Sequence, residues 1–572
     1  MSEIKKDPIN PARVGVYNQA VTEMKDRDLR EFNFQQVKLI SKSIKSMFGP
    51  KGFSKLITPR GSKTSFVTQK GLEVSKALKK PLPVVKMLIE LAETQEKNCG
   101  DGTKTVILLT ELLWEKARQM INDGIHPQLI DHGFSLAIKK SLEILDETAI
   151  AIDSGNDNIV QKLFSNNLTN KFAPEIKQIC LDFFQELLEN RNSVLRNIDN
   201  FDFSDIYFRK TPGKGMTEST IINGVIINKE KPNWSMPTRF EDPRVILIQR
   251  SLDFFVPNNV TSTPEAQIKD PAKLKEFEQF REEYYKSLAE NFSKQDINII
   301  LCQKKINEAF FDACANLGVI ALDLVGEKEL KTLSKMLNVG TISVLEDITE
   351  NDIGHADFAE FRHMPHQDLF FLTCKNSPIV TFLLRGGTDH VLSELQEVLK
   401  SSLKVTLQSM QDKKVLPGGG ALESEIARAL KQYATMFENK LQIVISEFGN
   451  ALENIPAFLV VNAGGEPLEI IPTLRGDHDQ GYKYNGFDCN SNSVVDVLDA
   501  GILDGYRVRK HCLRTASDMA RQLIRIDDLI IVYDNKLFKE IEEEGRPAKE
   551  AKRNEEIRQY FKKNDNKLFG GL

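Results

Sequence analysis

Apolar positions recur at helical spacing near both ends of this chain and in short strand-like runs through its middle. Val37, Ile40, Ile44 and Met47 share one helical face, and the pattern stops at Gly49-Pro50. Strand-like pieces follow near 55–58 and 65–68. A second helix begins near Pro83 with Val84, Leu88 and Leu91, and runs into the loop Asn98-Cys99-Gly100-Asp101-Gly102-Thr103-Lys104-Thr105. A third opens from that loop, with Val106, Leu109, Leu113 and Ala117 on its inner face, and more helix follows to about 150.

The middle has another rhythm. Strand-like 297–301, helical 304–316, apolar 319–325, helical 327–337 and strand-like 341–345 read as a compact α/β unit. Further strands are expected at 368–374 and 379–384. Asp270-Pro271 starts a helix carrying Leu274, Phe277, Tyr284 and Leu288, after a turn-rich approach over 256–267. That segment reads either as a projecting finger or as a plain packed helix. Beyond Gly418-Gly419-Gly420, helices are expected over 421–437, 440–452 and 504–524, with strand at 484–488 and 529–533. From Asn535 the chain is highly charged and reads as a solvated, partly helical tail.

At 572 residues the chain has room for about three or four domains. Its 41% hydrophobic content is enough for sizeable cores. A formal net charge of -5 argues against nucleic acid as the main partner, because phosphate binding favours a basic face; a local basic patch stays open. The seven cysteines form no C-x-x-C pair and read as small buried side chains in a reducing compartment. The first fifteen residues have no apolar core like that of a signal peptide, and no apolar run approaches the ~20 residues of a bilayer span. The expectation is a soluble intracellular protein with no membrane partner. No G-x-x-x-x-G-K-[ST] or G-x-G-x-x-G run is present, and the eight histidines show no H-x-x-x-H spacing, which disfavours a P-loop kinase or a zinc enzyme.

Three glycine-rich runs carry candidate chemistry. Gly49-Pro50-Lys51-Gly52 closes a helix; its glycines allow backbone N–H groups to approach a phosphate, or simply form a helix-ending turn. Gly100 to Thr105 opens one, and a helix N-terminus attracts phosphate oxygens while Asp101 suits Mg²⁺; an Asx turn capping the helix is the alternative. Gly418–Gly420 permits close approach to a ligand or makes a flexible joint. These runs lie at opposite ends of the chain, with the α/β unit between them. One pocket built from all three would make the terminal thirds a single discontinuous domain.

GPKG, GDGT, L-R-G-G-T at 384–388, L-P-G-G-G-A at 416–421, N-A-G at 462–464, D-A-G-I-L-D at 499–504 and L-I-R-I-D-D at 523–528 occur in this order. The ordered set resembles the group II chaperonins, the archaeal thermosome and the eukaryotic TRiC ring, over nearly the whole chain from about 26 to 535. The resemblance implies an α+β multidomain chaperonin fold. A mostly helical equatorial nucleotide-binding domain would span 1–153 and 411–572, and a small intermediate domain 154–228 and 385–410. An α/β apical client-binding domain would span 229–384, with a helical protrusion near 258–280. It implies an ATP-binding subunit, with Mg²⁺, that helps unfolded or nascent client proteins fold in a double-ring chamber of chaperonin subunits in the cytoplasm. The alternative is a chaperonin-like scaffold that assembles another protein complex.

By position, the resemblance assigns Gly49, Pro50, Lys51 and Gly52 to the phosphates, and Gly102, Thr103, Lys104 and Thr105 to phosphate oxygens. It assigns Asp101 to Mg²⁺, Gly418 and Gly419 to the nucleoside, Asp504 to the ribose, and Lys171 to the terminal phosphate. The family's client-binding helix corresponds to 304–316, with Phe310, Phe311 and Cys314. Two departures stand out. The family has an aspartate in a T-N-D-G run where this chain reads Thr68-Gln69-Lys70-Gly71, and a second aspartate where this chain has Ser401. Both acids orient or deprotonate the attacking water, and losing a general base typically costs ~10²–10⁴ in rate. A divergent paralogue with weak or absent hydrolysis is therefore expected, with Lys70 free to pair with a terminal phosphate. Lys104 is a third departure, at a position that is usually threonine.

Overall fold

The computed structural model describes residues 21–58, 66–77, 83–152, 157–168, 174–189, 206–213, 215–252, 271–345, 348–364, 367–375, 377, 379–526 and 528–532. The first stretch holds β1 (Val21–Lys25), α1 (Asp26–Lys45), β2 (Lys55–Ile57), β3 (Phe66–Thr68), α2 (Gly71–Ala77), α3 (Pro83–Cys99), α4 (Thr103–Asn122), α5 (Pro127–Thr148) and β4 (Ile150–Ala151). The central stretch opens with α6 (Asp157–Asn167), α7 (Pro174–Glu189), β5 (Ile206–Pro212), β6 (Thr220–Ile227), β7 (Arg239–Glu241), β8 (Arg244–Ile248), α8 (Pro271–Lys294) and β9 (Ile299–Cys302). It continues with α9 (Glu308–Asn316), β10 (Ile320–Leu322), α10 (Glu327–Leu337), β11 (Ile353–His355), β12 (Phe358–Met364), β13 (Gln367–Thr373) and β14 (Val380–Gly386). The last stretch holds α11 (Asp389–Asp412), β15 (Lys414–Pro417), α12 (Ala421–Ala434), α13 (Leu441–Ala463), α14 (Pro467–Asp479), β16 (Asn485–Asp488), β17 (Ser493–Asp496), β18 (Leu503–Gly505), α15 (Tyr506–Arg525) and β19 (Asp528–Val532).

The apolar faces predicted for the two ends of the chain bury against each other. Phe34, Leu113, Trp114 and Phe134 from the first stretch share one core with Phe448, Leu452, Ala516 and Ala520 from the last. Phe134 meets Phe448 edge-on at 5.2 Å, an arrangement that adds to plain area burial. Backbone pairing joins the ends as well. β1 runs antiparallel to β19, and β15 lies between β4 and β18. α13 is long and apolar enough to cross a membrane by length and composition, but 61% of its most apolar window is buried in the structure. Val444, Ile445, Phe448 and Ile455 place it in the shared core.

Two further layers fill the middle. The parallel run β10-β9-β8, with β11 antiparallel at its edge, is covered on one face by α8 and α9 through Tyr285, Phe292, Phe310 and Cys314. Its other face packs on α10 and on a six-stranded sheet of order β5-β14-β6-β13-β12-β7. Of the expected client-helix residues, Phe310 and Cys314 are therefore core, and Phe311 packs partly against them. α6, α7 and α11 enclose a separate cluster around Phe164, Phe184, Phe382 and Leu399.

One expected strand does not form. At 341–345 only Ile342 bridges to β8, and Val344 is exposed. β11 already takes that edge of β8 over Arg244–Ile246, which leaves room for one residue and not five. The turn-rich approach over 256–267 and the start of the expected protrusion lie outside the described residues. α8 begins at Pro271 as predicted, and its second half is packed through Tyr285, Ala289 and Phe292.

Candidate functional site

The shared helical core meets α6 and α11 around a cavity of about 1270 Å³. Both ends of the chain build it. Gly49 and Pro50 come from the turn after α1, Asp101, Thr103, Lys104 and Thr105 from the start of α4, and Gly419 and Asp504 from the last stretch. The two departing positions, Lys70 and Ser401, line it too. Lys51, Gly52, Gly102 and Gly418 belong to the same turns but do not form its wall. Lys171 lies outside the described residues.

Each loop is shaped by glycines that tolerate no side chain. Gly102 caps α4 with φ +87°, and a Cβ there would come within 2.6 Å of Cys512 Sγ. Val106 is the first residue to bond back, to Gly102 O at 2.9 Å, so the N–H groups of Thr103, Lys104 and Thr105 have no intrahelical acceptor. Together with the helix dipole they make an anion-attracting end at the cavity wall. Gly49 has φ +81° against Leu459, and Asn462 Nδ2 pins the same turn by donating to Lys45 O and Phe48 O, each at 2.8 Å. Gly419 has φ +61°, and a Cβ there would meet Phe487 O at 2.7 Å.

Asp504 is held from below. Its Oδ2 accepts from Arg509 Nε at 2.8 Å and Nη2 at 2.6 Å, and Arg509 Nη1 lies 3.0 Å from Glu423 Oε1. Burial works against the guanidinium charge, but the carboxylates of Asp504 and Glu423 outweigh it and drive the Arg509 pKa upward. Burial pushes the Glu423 carboxyl up against the opposing pull of Arg509. Sequence reasoning missed both residues, although Glu423 stands in the first turn after the triple glycine and Arg509 five places after Asp504.

The departing positions have specific partners. Lys70 Nζ bonds Glu96 Oε1 at 3.1 Å and directly contacts Glu397 of α11. Burial lowers the Lys70 pKa, but the attraction of Glu96 and Glu397 outweighs it and leaves a firmly charged ammonium. Glu96 is pushed up by burial more than Lys70 pulls it down. Ser401 Oγ donates to Gly100 O at 2.7 Å, tying α11 to the loop before α4. Lys104 turns its ammonium away to donate to Met47 O at 3.0 Å, and burial lowers its pKa, so what this residue brings to the wall of α4 is its backbone N–H.

Among the described residues no cluster of three His, Cys, Asp or Glu side chains could hold a metal by itself. A single exposed carboxylate, Asp101, beside a helix N-terminus suits a cation that keeps its waters and takes its other oxygens from phosphate, as Mg²⁺ does. All seven cysteines are buried and unpaired.

Comparison with known proteins adds an independent view. Residues 40–533 match the TCP-1/cpn60 chaperonin family. The chain is 30% identical over 509 residues to a thermosome subunit beta from Archaeoglobus fulgidus, covering 88% of this chain and 92% of that protein. It is 29% identical over 523 residues to a thermosome subunit from Pyrococcus horikoshii, covering 91% and 93%.

Proposed function

The chain belongs to the TCP-1/cpn60 chaperonin family as a group II chaperonin subunit concerned with protein folding, and from that premise we propose that it binds ATP with Mg²⁺ but hydrolyses it weakly or not at all. The observation that carries the proposal is the single cavity lined by loops from both ends of the chain. In this reading the free N–H groups at the start of α4 and the turn at Gly49 hold the phosphates, and Asp101 takes the Mg²⁺. Gly419 lies against the nucleoside, and Asp504, positioned by Arg509, receives the ribose. Bound Mg²⁺ would neutralise phosphate charge. No acid stands at either water-activating position, since Lys70 is cationic and Ser401 has given its hydrogen to Gly100.

The same reading divides the chain into an equatorial domain of 1–153 and 411–572, an intermediate domain of 154–228 and 385–410, and an apical domain of 229–384 that binds unfolded clients. The subunit works in the cytoplasm beside other chaperonin subunits in a double ring. Nucleotide contacts in the cavity would bias the domains between open and closed arrangements, so binding alone does mechanical work in a mixed ring.

The test is electron microscopy of the purified chain, alone and with sister subunits, together with calorimetric titration of Mg-ATP. Rings that include this chain and saturable ATP binding are expected. Nucleotide binding with no ring in any mixture would favour an assembly scaffold, and absence of nucleotide binding would overturn the reading of the cavity.

A further inference from the structure

Lys70 replaces an anion with a cation at the mouth of the anion-attracting helix, and it does not stand alone. The next residue, Gly71, lies so close to the first turn of α4 that a Cβ there would come within 2.9 Å of Lys104 Cγ and 3.4 Å of Thr103 Oγ1. The backbone of Lys70 is fixed, with its N–H donating to Thr68 Oγ1 at 3.1 Å and its carbonyl accepting from Val74 N at 3.2 Å. The side chain, half-buried at the cavity wall, is shared between Glu96 on α3 and Glu397 on α11.

α11 shows what each of these contacts is for. One face buries Leu392, Leu395, Leu399 and Leu403 in the second core. The opposite face carries a row at helical spacing that lies along the turn between α3 and α4. Ser401 bonds Gly100 O, Lys404 Nζ bonds Lys97 O at 2.6 Å, and Gln408 Nε2 bonds Asn98 O at 2.7 Å. Those three grip backbone carbonyls and need no ligand. Glu397, the first of the row, alone reaches a cation on the cavity wall. It can let go without undocking the helix.

We infer that Lys70 is one residue by which this cavity distinguishes a nucleoside triphosphate from a diphosphate, and that Glu397 competes with the terminal phosphate for its ammonium. The inference rests on the nucleotide reading above. A terminal phosphate offers Lys70 three strong acceptors and nearly two charges, against the single charge of a carboxylate, so it displaces Glu397 while Glu96 stays in place. A diphosphate has no group to put there, and Lys70 keeps both carboxylates. Glu397 thus opposes the triphosphate twice, by occupying the cation and by repelling the phosphate.

The two side chains therefore predict opposite signs in one measurement. Titration calorimetry would compare ADP with a non-hydrolysable ATP analogue, each with Mg²⁺, on the full chain. Lys70→Met should weaken the triphosphate about ten-fold and leave ADP unchanged, the size expected for one charge-assisted contact at a partly exposed site. Glu397→Gln, nearly isosteric, should tighten the triphosphate several-fold and also leave ADP unchanged. Folding damage would weaken both nucleotides in either variant, and Lys70→Arg should rescue. Both nucleotides binding normally with an unaltered affinity ratio in both variants would overturn the inference alone. A wild-type chain that binds neither would instead overturn the nucleotide reading on which it stands.

Discussion

If hydrolysis is weak because two acids are missing, restoring them should raise it, and the surroundings of Lys70 dictate by how much. Lys70→Asp removes the cation shared by Glu96 and Glu397 and places a third carboxylate among them. At about 5 Å and an effective dielectric near 20, two like charges repel by roughly 3 kcal/mol, which raises a carboxyl pKa by roughly 2 units. The new acid would be held partly protonated near neutrality and would make a poor base. Ser401→Asp meets a different obstacle, because the present hydroxyl donates to Gly100 O and a carboxylate cannot. The loop before α4 must shift to relieve two facing acceptors. We expect the double variant Lys70→Asp/Ser401→Asp to gain only a small part of the ~10²–10⁴ that a general base supplies. Adding Glu397→Gln, which removes one repelling charge, should then raise turnover by a further order of magnitude or more. The assay is phosphate release at saturating Mg-ATP, with and without a chelator. A wild-type chain that already matches the triple variant would refute the reasoning, as would a double variant that gains nothing from Glu397→Gln.

Two more outcomes follow from buried charge. Arg509→Met strands Glu423 without a counter-charge and should cost about 3–5 kcal/mol in a chemical denaturation curve, whereas Arg509→Met/Glu423→Leu should recover most of that loss; strictly additive losses would contradict the pairing. Burial raises the Glu425 carboxyl, but bonds from His478 at 2.9 Å and Arg428 at 2.6 Å prevail and bring it to about 2. Its folded pKa lies below the unfolded value, so this contribution is complete above the ordinary carboxylate range and is lost as pH falls from about 4.5 towards 2, some 3 kcal/mol in all. Thermal melts across that interval should fall more steeply for the wild type than for Glu425→Gln, and parallel curves would exclude the bond as the cause.

The reach of the sequence was set by how local each signal is. α10 and the starts of α3, α4 and α8 follow from spacing and capping residues within one or two turns. The ordered glycine runs pointed to one pocket, since each demands a backbone that only glycine adopts cheaply, as Gly49, Gly102 and Gly419 do. α11 is only partly legible: Leu392, Leu395, Leu399 and Leu403 fall at helical spacing, but the charged and hydroxyl residues between them blur the pattern. The strand expected at 341–345 has a suitable apolar run; what excludes it is competition for an edge of β8, which no window of the sequence contains. The role of Asn462 was hidden for the same reason, because the turn it pins lies more than four hundred residues away.

The two departing positions, Lys70 and Ser401, belong together in a way that their places in the sequence do not show. Lys70 and Ser401 stand far apart in the chain, yet both contacts end on one face of α11, where Glu397 and Ser401 are a single helical turn apart. A hydrolysing site needs carboxylates here to face a water. In this chain the same two positions carry contacts of α11 instead, Lys70 bridging Glu397 to Glu96 of α3 and Ser401 bonding Gly100 O in the loop before α4. On the proposed reading, the side chains that leave no base at these two positions are also ones that tie α11 to its neighbours. An acid at position 401 would give up the bond to Gly100 O, whereas an acid at position 70 would release Glu397 while Lys404 and Gln408 keep the helix docked.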